Sequence, residues 1–160
     1  MLKFVGALLL CAIAVFFCRD YTRHQRQRLL QCEGFLLLLR RLRGQIDCYS
    51  LPLGEALADF ENTSLTECGF LPALREGGFP AAIAKTREKL LLPPDSLRTL
   101  TAFAEGFGKS YREEQIALCT WAISELESVV AHVRRDSPRR AKMGRGLIIS
   151  GGLALILVLL

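Results

Sequence analysis

The chain has 160 residues, of which 51% are hydrophobic and 23% are charged. Its net charge of +5 is made of opposed blocks: residues 19–49 contribute +4, residues 50–133 contribute −5, residues 134–145 contribute +5, and Lys3 adds one. This composition excludes a wholly disordered chain and a collagen, and the nearly uncharged ends exclude a purely soluble globule. The length excludes a multidomain enzyme.

An apolar segment opens the chain. Residues 2–18 carry a single charge, Lys3, and would form a helix of about 25 Å. Snorkelling and local bilayer thinning absorb the mismatch with a hydrocarbon core of about 30 Å. A cleaved signal peptide needs positive residues before the apolar run, but here they follow it: Arg19, Arg23, Arg26 and Arg28. We therefore predict an N-terminal transmembrane helix over residues 1–18.

A long helix is predicted to continue from this segment into a central lobe. Apolar residues recur there at alternating spacings of three and four: Cys32, Phe35, Leu39, Leu42, Ile46 and Tyr49. This heptad seam is too short for a separate dimeric coiled coil, so we expect it to pack in a core. No central segment alternates between apolar and polar residues as a strand does.

Two shorter helices are predicted next. The first begins at Pro52, because proline is tolerated in the first turn of a helix, and it runs to about Glu61. The second begins at Ser64, which has the spacing of a capping box to Glu67. The pair Gly77–Gly78 ends this second helix.

Two more short helices follow. One runs from Pro80 to the break at Pro93–Pro94. The other is capped by Asp95 or Ser96 and runs through Phe103. Glycines end it, at Gly106 and Gly108.

The last helix is predicted to begin at Ser110, which has capping-box spacing to Glu113. It carries a second heptad seam: Ile116, Cys119, Ile123, Leu126, Val130 and Val133. Because both long helices lead to the same membrane face, they should run antiparallel. The predicted fold is all-α: a six-helix bundle over residues 19–143 whose two long antiparallel helices continue into N- and C-terminal transmembrane segments.

The second transmembrane helix is predicted over residues 144–160, since residues 147–160 carry no charge. Basic residues precede it: Arg134, Arg135, Arg139, Arg140, Lys142 and Arg145. With the arginines that follow the first segment, they predict a cytoplasmic lobe and outside termini. Small residues recur every fourth position at Gly146, Ser150 and Ala154, which allows close packing with the first transmembrane helix or a partner.

The sequence contains no spacing of side chains that is typical of a catalytic site. The six cysteines form no C-x-x-C pair, and neither His24 nor His132 has ligand spacing, so no metal site is predicted. Glu113 and Glu114 point about 100° apart on a helix and cannot share a site. We therefore predict a protein that is not an enzyme and binds no cofactor. Because the basic residues flank membrane segments, we predict no nucleic-acid binding.

The order and spacing of two stretches resemble a known family. Residues 42–57, with Ile46, Tyr49 and the Pro52-Leu53 pair, are similar to the segment that joins the first two soluble helices of the stage III sporulation protein AB family. Gly108, Ser110 and Gln115 are similar to that family's turn into its last helix, except that Tyr111 stands where the family usually has Asp. Length, both anchors and the helical lobe also match.

The resemblance implies a non-enzymatic platform subunit of the channel-like complex between mother cell and forespore. The family's lobe is similar to the cytoplasmic domains of the platform proteins of type II secretion and type IV pilus systems. The implied partners are the membrane, other septal channel components and a secretion-type ATPase, stage III sporulation protein AA. The implied location is the mother-cell membrane facing the forespore. This is a fold-level analogy, and a homo-oligomer is compatible with it.

An acidic tip of the lobe is the predicted contact for the ATPase, through Glu61, Glu67, Glu76, Glu88 and Asp95. The plainer interpretation of these side chains is a solvated face. The alternative function is a structural scaffold that binds other membrane proteins through its transmembrane helices, which the small-residue stripe favours. A membrane-bound enzyme is the third alternative, and the missing site chemistry disfavours it.

Overall fold

The computed structural model has five helices in the residues that it describes. It describes the backbone of residues 2–48, 57 and 59–159, and the side chains of residues 15–16, 19–47, 57 and 59–135. The helices are α1 (Leu2–Cys48), α2 (Thr63–Glu67), α3 (Phe70–Thr86), α4 (Pro94–Gly106) and α5 (Arg112–Leu159). The described residues contain no strand, which confirms the all-α class.

The chain divides into two compact units. One is a lobe, residues 27–132, and the other joins residues 1–26 with residues 133–160. The lobe lies inside the predicted range of 19–143. Helices α1 and α5 belong to both units, because each runs unbroken across the boundary. Pro138 omits one helical hydrogen bond of α5, yet the helix continues through it.

Both predicted heptad seams lie in the lobe core. From α1, Cys32, Phe35, Leu39 and Leu42 are buried, and Ile46 is half-buried. From α5, Cys119, Ile123, Leu126 and Val130 are buried, whereas Ile116 and Val133, at the two ends of the predicted seam, are half-buried. The remaining residue of the first seam, Tyr49, lies outside the described residues. The period of the apolar residues thus correctly predicted which face of each helix is buried.

The two long helices run antiparallel in the lobe, as predicted. Arg40 of α1 pairs with Glu127 of α5 at 2.6 Å. Further along α1, the Asp47 carbonyl accepts a hydrogen bond from Arg112 at the start of α5. Moving forward on α1 therefore means moving backward on α5. Exposed ion pairs of this kind add little stability, but they define the direction of the packing.

An aromatic cluster fills the space between α1, α3 and α4. The Phe35 and Phe70 rings meet edge to face with centroids 4.6 Å apart. Phe79 makes similar contacts with Phe103 at 5.2 Å and Phe107 at 5.3 Å. Such pairs contribute about 0.5–1.5 kcal/mol each beyond the area they bury. The cluster fixes the short helices against the long one.

The predicted boundaries of the first two short helices need correction. Most of the predicted helix that begins at Pro52 lies outside the described residues. Its described part, residues 57 and 59–61, is turn and coil, so it does not reach Glu61. The cap of α2 is Asn62, whose side chain accepts a hydrogen bond from the Leu65 amide at 3.1 Å. Ser64 lies within the helix instead.

Glycines with positive φ interrupt the next stretch twice. Gly69, with φ of 81°, separates α2 from α3, so the predicted helix from Ser64 to Gly77 is split. Gly78, with φ of 74° and ψ of −176°, breaks the helical geometry inside α3. The predicted end at Gly77–Gly78 and restart at Pro80 match this kink. Helical hydrogen bonding resumes so quickly that the two pieces form one element.

The starts of α4 and α5 also differ from the predicted ones. Pro94 is the first helical residue of α4 and Pro93 is its cap, so neither Asp95 nor Ser96 caps it. Proline suits this position because its missing N–H has no helical partner there. In α5 the first helical hydrogen bond runs from the Gln115 amide to the Tyr111 carbonyl at 3.0 Å. The helix therefore begins one residue later than a Ser110 cap requires.

One stretch of the described residues could cross a membrane by length and composition, residues 112–135 of α5, with mean hydropathy 1.3. Core helices pass the same test, and one face of this stretch is buried in the lobe, so we assign it to the core. The predicted transmembrane segments are helical in backbone. Val15 and Phe16 of the first are exposed, and the side chains of the second lie outside the described residues.

Gly34 is the point of closest approach between α1 and α2. A Cβ atom there would lie 2.8 Å from Asn62 Oδ1 and 3.0 Å from Leu65 Cγ, whereas one at Gly44 would meet nothing within 4 Å. The Asn62 cap therefore depends on a glycine in the middle of a long helix.

We predict opposite effects of alanine at these two glycines. Gly44→Ala should raise the free energy of unfolding by about 0.5–1 kcal/mol, because alanine is the better helix former. Gly34→Ala should lower it by about 1–3 kcal/mol through overpacking and loss of the cap. Urea unfolding of the full chain in detergent, followed by circular dichroism, measures both. Equal effects of the two substitutions would refute the close approach.

Candidate functional site

The five predicted acidic contact residues are all exposed. Gln31 of α1 donates to the Lys89 carbonyl at 3.4 Å and accepts from the Leu91 amide at 2.7 Å. These two hydrogen bonds place the turn that contains Glu88 beside the first residues of α1 in the lobe. Asp95, at the start of α4, lies at the same level. The opposite end of the lobe is marked by Asp47 and Arg112.

Glu61 and Glu67 lie at the same level. The neighbour of Glu61, Asn62, lies against Gly34. Burial raises the pKa of Cys68, the neighbour of Glu67, and the nearby Lys89 ammonium opposes that rise. Four of the five carboxylates thus lie near the end where α1 enters the lobe. These four carboxylates form a band at this end, because the turn after α3 folds back onto Gln31, and their role as a partner contact stays a prediction.

Glu76 differs from the other four. Its carboxylate pairs with Lys85 at 3.0 Å across the Gly78 kink. Lys89 and Arg87 also flank Glu88 in sequence. The band is therefore mixed in charge rather than purely acidic.

The motif turn lies at the opposite end of the lobe. Gly108 has φ of 81°, a left-handed conformation that favours glycine. The Gln115 side chain donates to the Ser110 carbonyl at 2.7 Å. The structure thus brings Ser110 and Gln115 together, and it leaves Tyr111 86% exposed between them. This turn ties the loop to the first turn of α5.

A groove that the sequence analysis missed runs between α3 and α4, with a volume of about 540 Å³. The α3 side presents one helical face, formed by Pro80, Ile83, Ala84 and Arg87. We call this the α3–α4 groove. The sequence signal for this groove is a set of apolar and small residues at helical spacing in both helices, but spacing alone does not show that the two faces meet.

The α4 side of the groove adds charge at both ends. Leu97, Thr101 and Ala104 line its length, Arg98 lies near the turn between the helices, and Glu105 lies at the far end. Arg87 and Arg98 form no ion pair with another described side chain. The groove therefore has an apolar floor with a positive end and a negative end.

Three cysteines of the lobe are buried free thiols: Cys32, Cys68 and Cys119. Burial raises the pKa of Cys32 and that of Cys119 to about 11, against a smaller opposing effect of Arg28 and Arg43 respectively. Burial also raises the pKa of Cys68. Across the described residues, no three His, Cys, Asp or Glu side chains are placed to hold a metal ion. The thiols serve as small core side chains.

Comparison with known proteins identifies the family. A family model described as stage III sporulation protein AB matches residues 75–160, more than half of the chain. The chain belongs to the stage III sporulation protein AB family. It is therefore a sporulation protein, as the resemblance predicted. No curated protein and no solved structure matches the chain.

The family match covers a defined part of the fold. It begins within α3 and includes the α3–α4 groove, the motif turn and all of α5. Gly108, Ser110 and Gln115 lie inside it, whereas residues 42–57 lie before it. The small residues Gly146, Ser150 and Ala154 are also inside it, but their side chains lie outside the described residues. Their role in helix packing stays a prediction.

We predict that Cys32 and Cys119 resist alkylation in the folded protein. A pKa near 11, compared with 9.0 for a free thiol, lowers the thiolate fraction at pH 8 by about 100-fold. Iodoacetamide should therefore modify them at least that much more slowly in the native chain than in urea, as measured by peptide mass spectrometry. Equal rates in both states would contradict their burial.

The same thiols predict a direction for alkaline stability. Their folded pKa lies above the unfolded value, so their contribution to stability is intact below pH 9 and declines as the pH approaches 11.

Proposed function

We propose that this chain is a non-enzymatic membrane platform subunit of the sporulation complex between mother cell and forespore. In this proposal the lobe is cytoplasmic and couples a secretion-type ATPase to the transenvelope assembly. Family membership supports the sporulation role. The finding that best supports coupling is the continuity of α1 and α5, each a single helix from the lobe into a terminal segment.

Continuity matters because a helix carries displacement along its axis, whereas a flexible linker absorbs it. Within the lobe α1 and α5 are antiparallel, so both leave it at the same end, near residues 27 and 132. Two anchors in one membrane require this arrangement. The buried seams hold the two helices together, so a partner that moves the lobe acts on both at once.

Within this mixed band, the proposed ATPase contact is the set of exposed carboxylates of Glu67, Glu88 and Asp95, which we call the acidic band. Exposed carboxylates act mainly by steering association with a positive surface, and salt screens this attraction.

We expect the full chain in detergent to bind the sporulation ATPase in a saturable, salt-sensitive manner. Glu88→Lys should weaken binding by about 3- to 10-fold at low salt, because it replaces attraction by repulsion. Glu125→Lys is the matched control, since it reverses an exposed carboxylate of α5 outside the band. Titration calorimetry at low and moderate salt measures both.

Two outcomes would count against this proposal. Equal loss in both variants would mean that net charge, not the acidic band, drives binding. Absence of binding by a chain with native circular dichroism would reject the coupling and favour the scaffold function, which predicts instead that leucine at Gly146, Ser150 and Ala154 disrupts assembly.

Mechanical coupling predicts a second result. An insert of about seven alanines between Arg26 and Gln27 adds close to two helical turns and so preserves the phase of α1. A glycine–serine insert of the same length replaces helix by flexible chain. We expect sporulation to survive the first far better than the second, while both chains bind the ATPase equally. Equal sporulation with the two inserts would show that continuity of α1 is not required.

A further inference from the structure

The α3–α4 groove is built to receive a helix. Ala84, Thr101 and Ala104 are small, and small side chains let a third helix approach closely. Ile83 and Leu97 supply an apolar floor, and the two arginines at one end favour a carboxylate there. The occupant should therefore be a helix with a large apolar side chain and an acidic residue about two turns away.

One face of α5 has these properties. Its members are exposed and recur at helical spacing: Glu114, Ala117, Trp121 and Ser124. We call this the Trp121 face. The indole of Trp121 is 42% exposed and stands between small neighbours on this face. An aromatic side chain can bury roughly 150–250 Å² in a contact, which makes it the largest apolar group this face offers.

The two surfaces match in length and charge. From Glu114 to Trp121 is seven residues, about 10.5 Å along a helix, and from Arg98 to Glu105 is the same distance. With Glu114 beside Arg87 and Arg98, the indole would lie over Thr101 and Ala104. The reverse direction would bring Glu114 against Glu105, so charge selects one orientation.

We propose that the α3–α4 groove binds the Trp121 face of a second copy of this chain. The groove and the face are different surfaces of the lobe, so the contact is head to tail, and a pair of copies keeps one free groove and one free face in total. Such contacts close into rings or extend into filaments. This inference does not depend on ATPase coupling.

The expected affinity is modest. A contact of two or three helical turns buries less than the roughly 1,200–2,000 Å² of a stable interface. Association should therefore depend on concentration and become visible at high concentration or in a membrane.

The test is the mass of the full chain in detergent, measured by analytical ultracentrifugation up to about 100 μM, the range of weak interfaces. We expect species larger than a monomer. Arg98→Glu and Trp121→Ala should each weaken association at least tenfold. Tyr111→Ala is the matched control, because it removes a more exposed aromatic side chain outside the face, and it should change nothing.

Two further experiments distinguish this contact from other modes of association. Joining Glu114→Arg to Arg98→Glu in one chain restores opposite charges across the contact and should recover association. Mixing the Arg98→Glu chain with the Trp121→Ala chain leaves one intact groove and one intact face, so dimers should form and grow no further.

Several results would overturn the proposal. These are a monomeric wild type over the whole range, association that survives Arg98→Glu, or failure of the charge exchange to recover it. A monomeric wild type whose ATPase binding is lost in Arg98→Glu would instead assign the groove to the ATPase.

Discussion

The lobe depends on the antiparallel packing of its first and last helices. The seams of α1 and α5 supply much of the buried apolar surface, and the short helices pack around them. Burial of apolar surface stabilises by roughly 25 cal/mol per Å² and has no direction of its own. The period of the seams selects the buried face of each helix, and the pairing of Arg40 with Glu127 and of Asp47 with Arg112 records the antiparallel direction.

Much of the fold could be predicted from the spacing of apolar residues and from the positions of glycine and proline. The heptad spacing identified the buried faces of both long helices, and Gly77–Gly78 with Pro80 marked the kink in α3. The cap residues of the helices were harder to predict, because a serine followed three residues later by a glutamate also occurs often where no helix begins. Asn62, not Ser64, caps α2, and it can do so because Gly34 makes room for it. That contact joins residues far apart in sequence.

The candidate sites were harder to predict for the same reason. The charges of Glu67, Glu88 and Asp95 are evident in the sequence, but their level in the lobe is set by hydrogen bonds between Gln31 and residues 89 and 91. The α3–α4 groove exists only because two faces that look merely exposed are neighbours. Local pattern reports which face of a helix is apolar, whereas tertiary contacts decide which faces meet.

The pairing of the first and last helices also governs how the lobe is made. Arg40 cannot pair with Glu127 until the 87 residues that follow Arg40 have been synthesised, which takes roughly 4–17 s at 5–20 residues per second. During that interval the α1 seam lacks its partner seam on α5, although Phe35 can already contact Phe70 of α3. If the ribosome stalls before α5, the apolar seam of α1 stays partly exposed, because its partner seam is missing. Chaperones would then have to act on the N-terminal half of the chain.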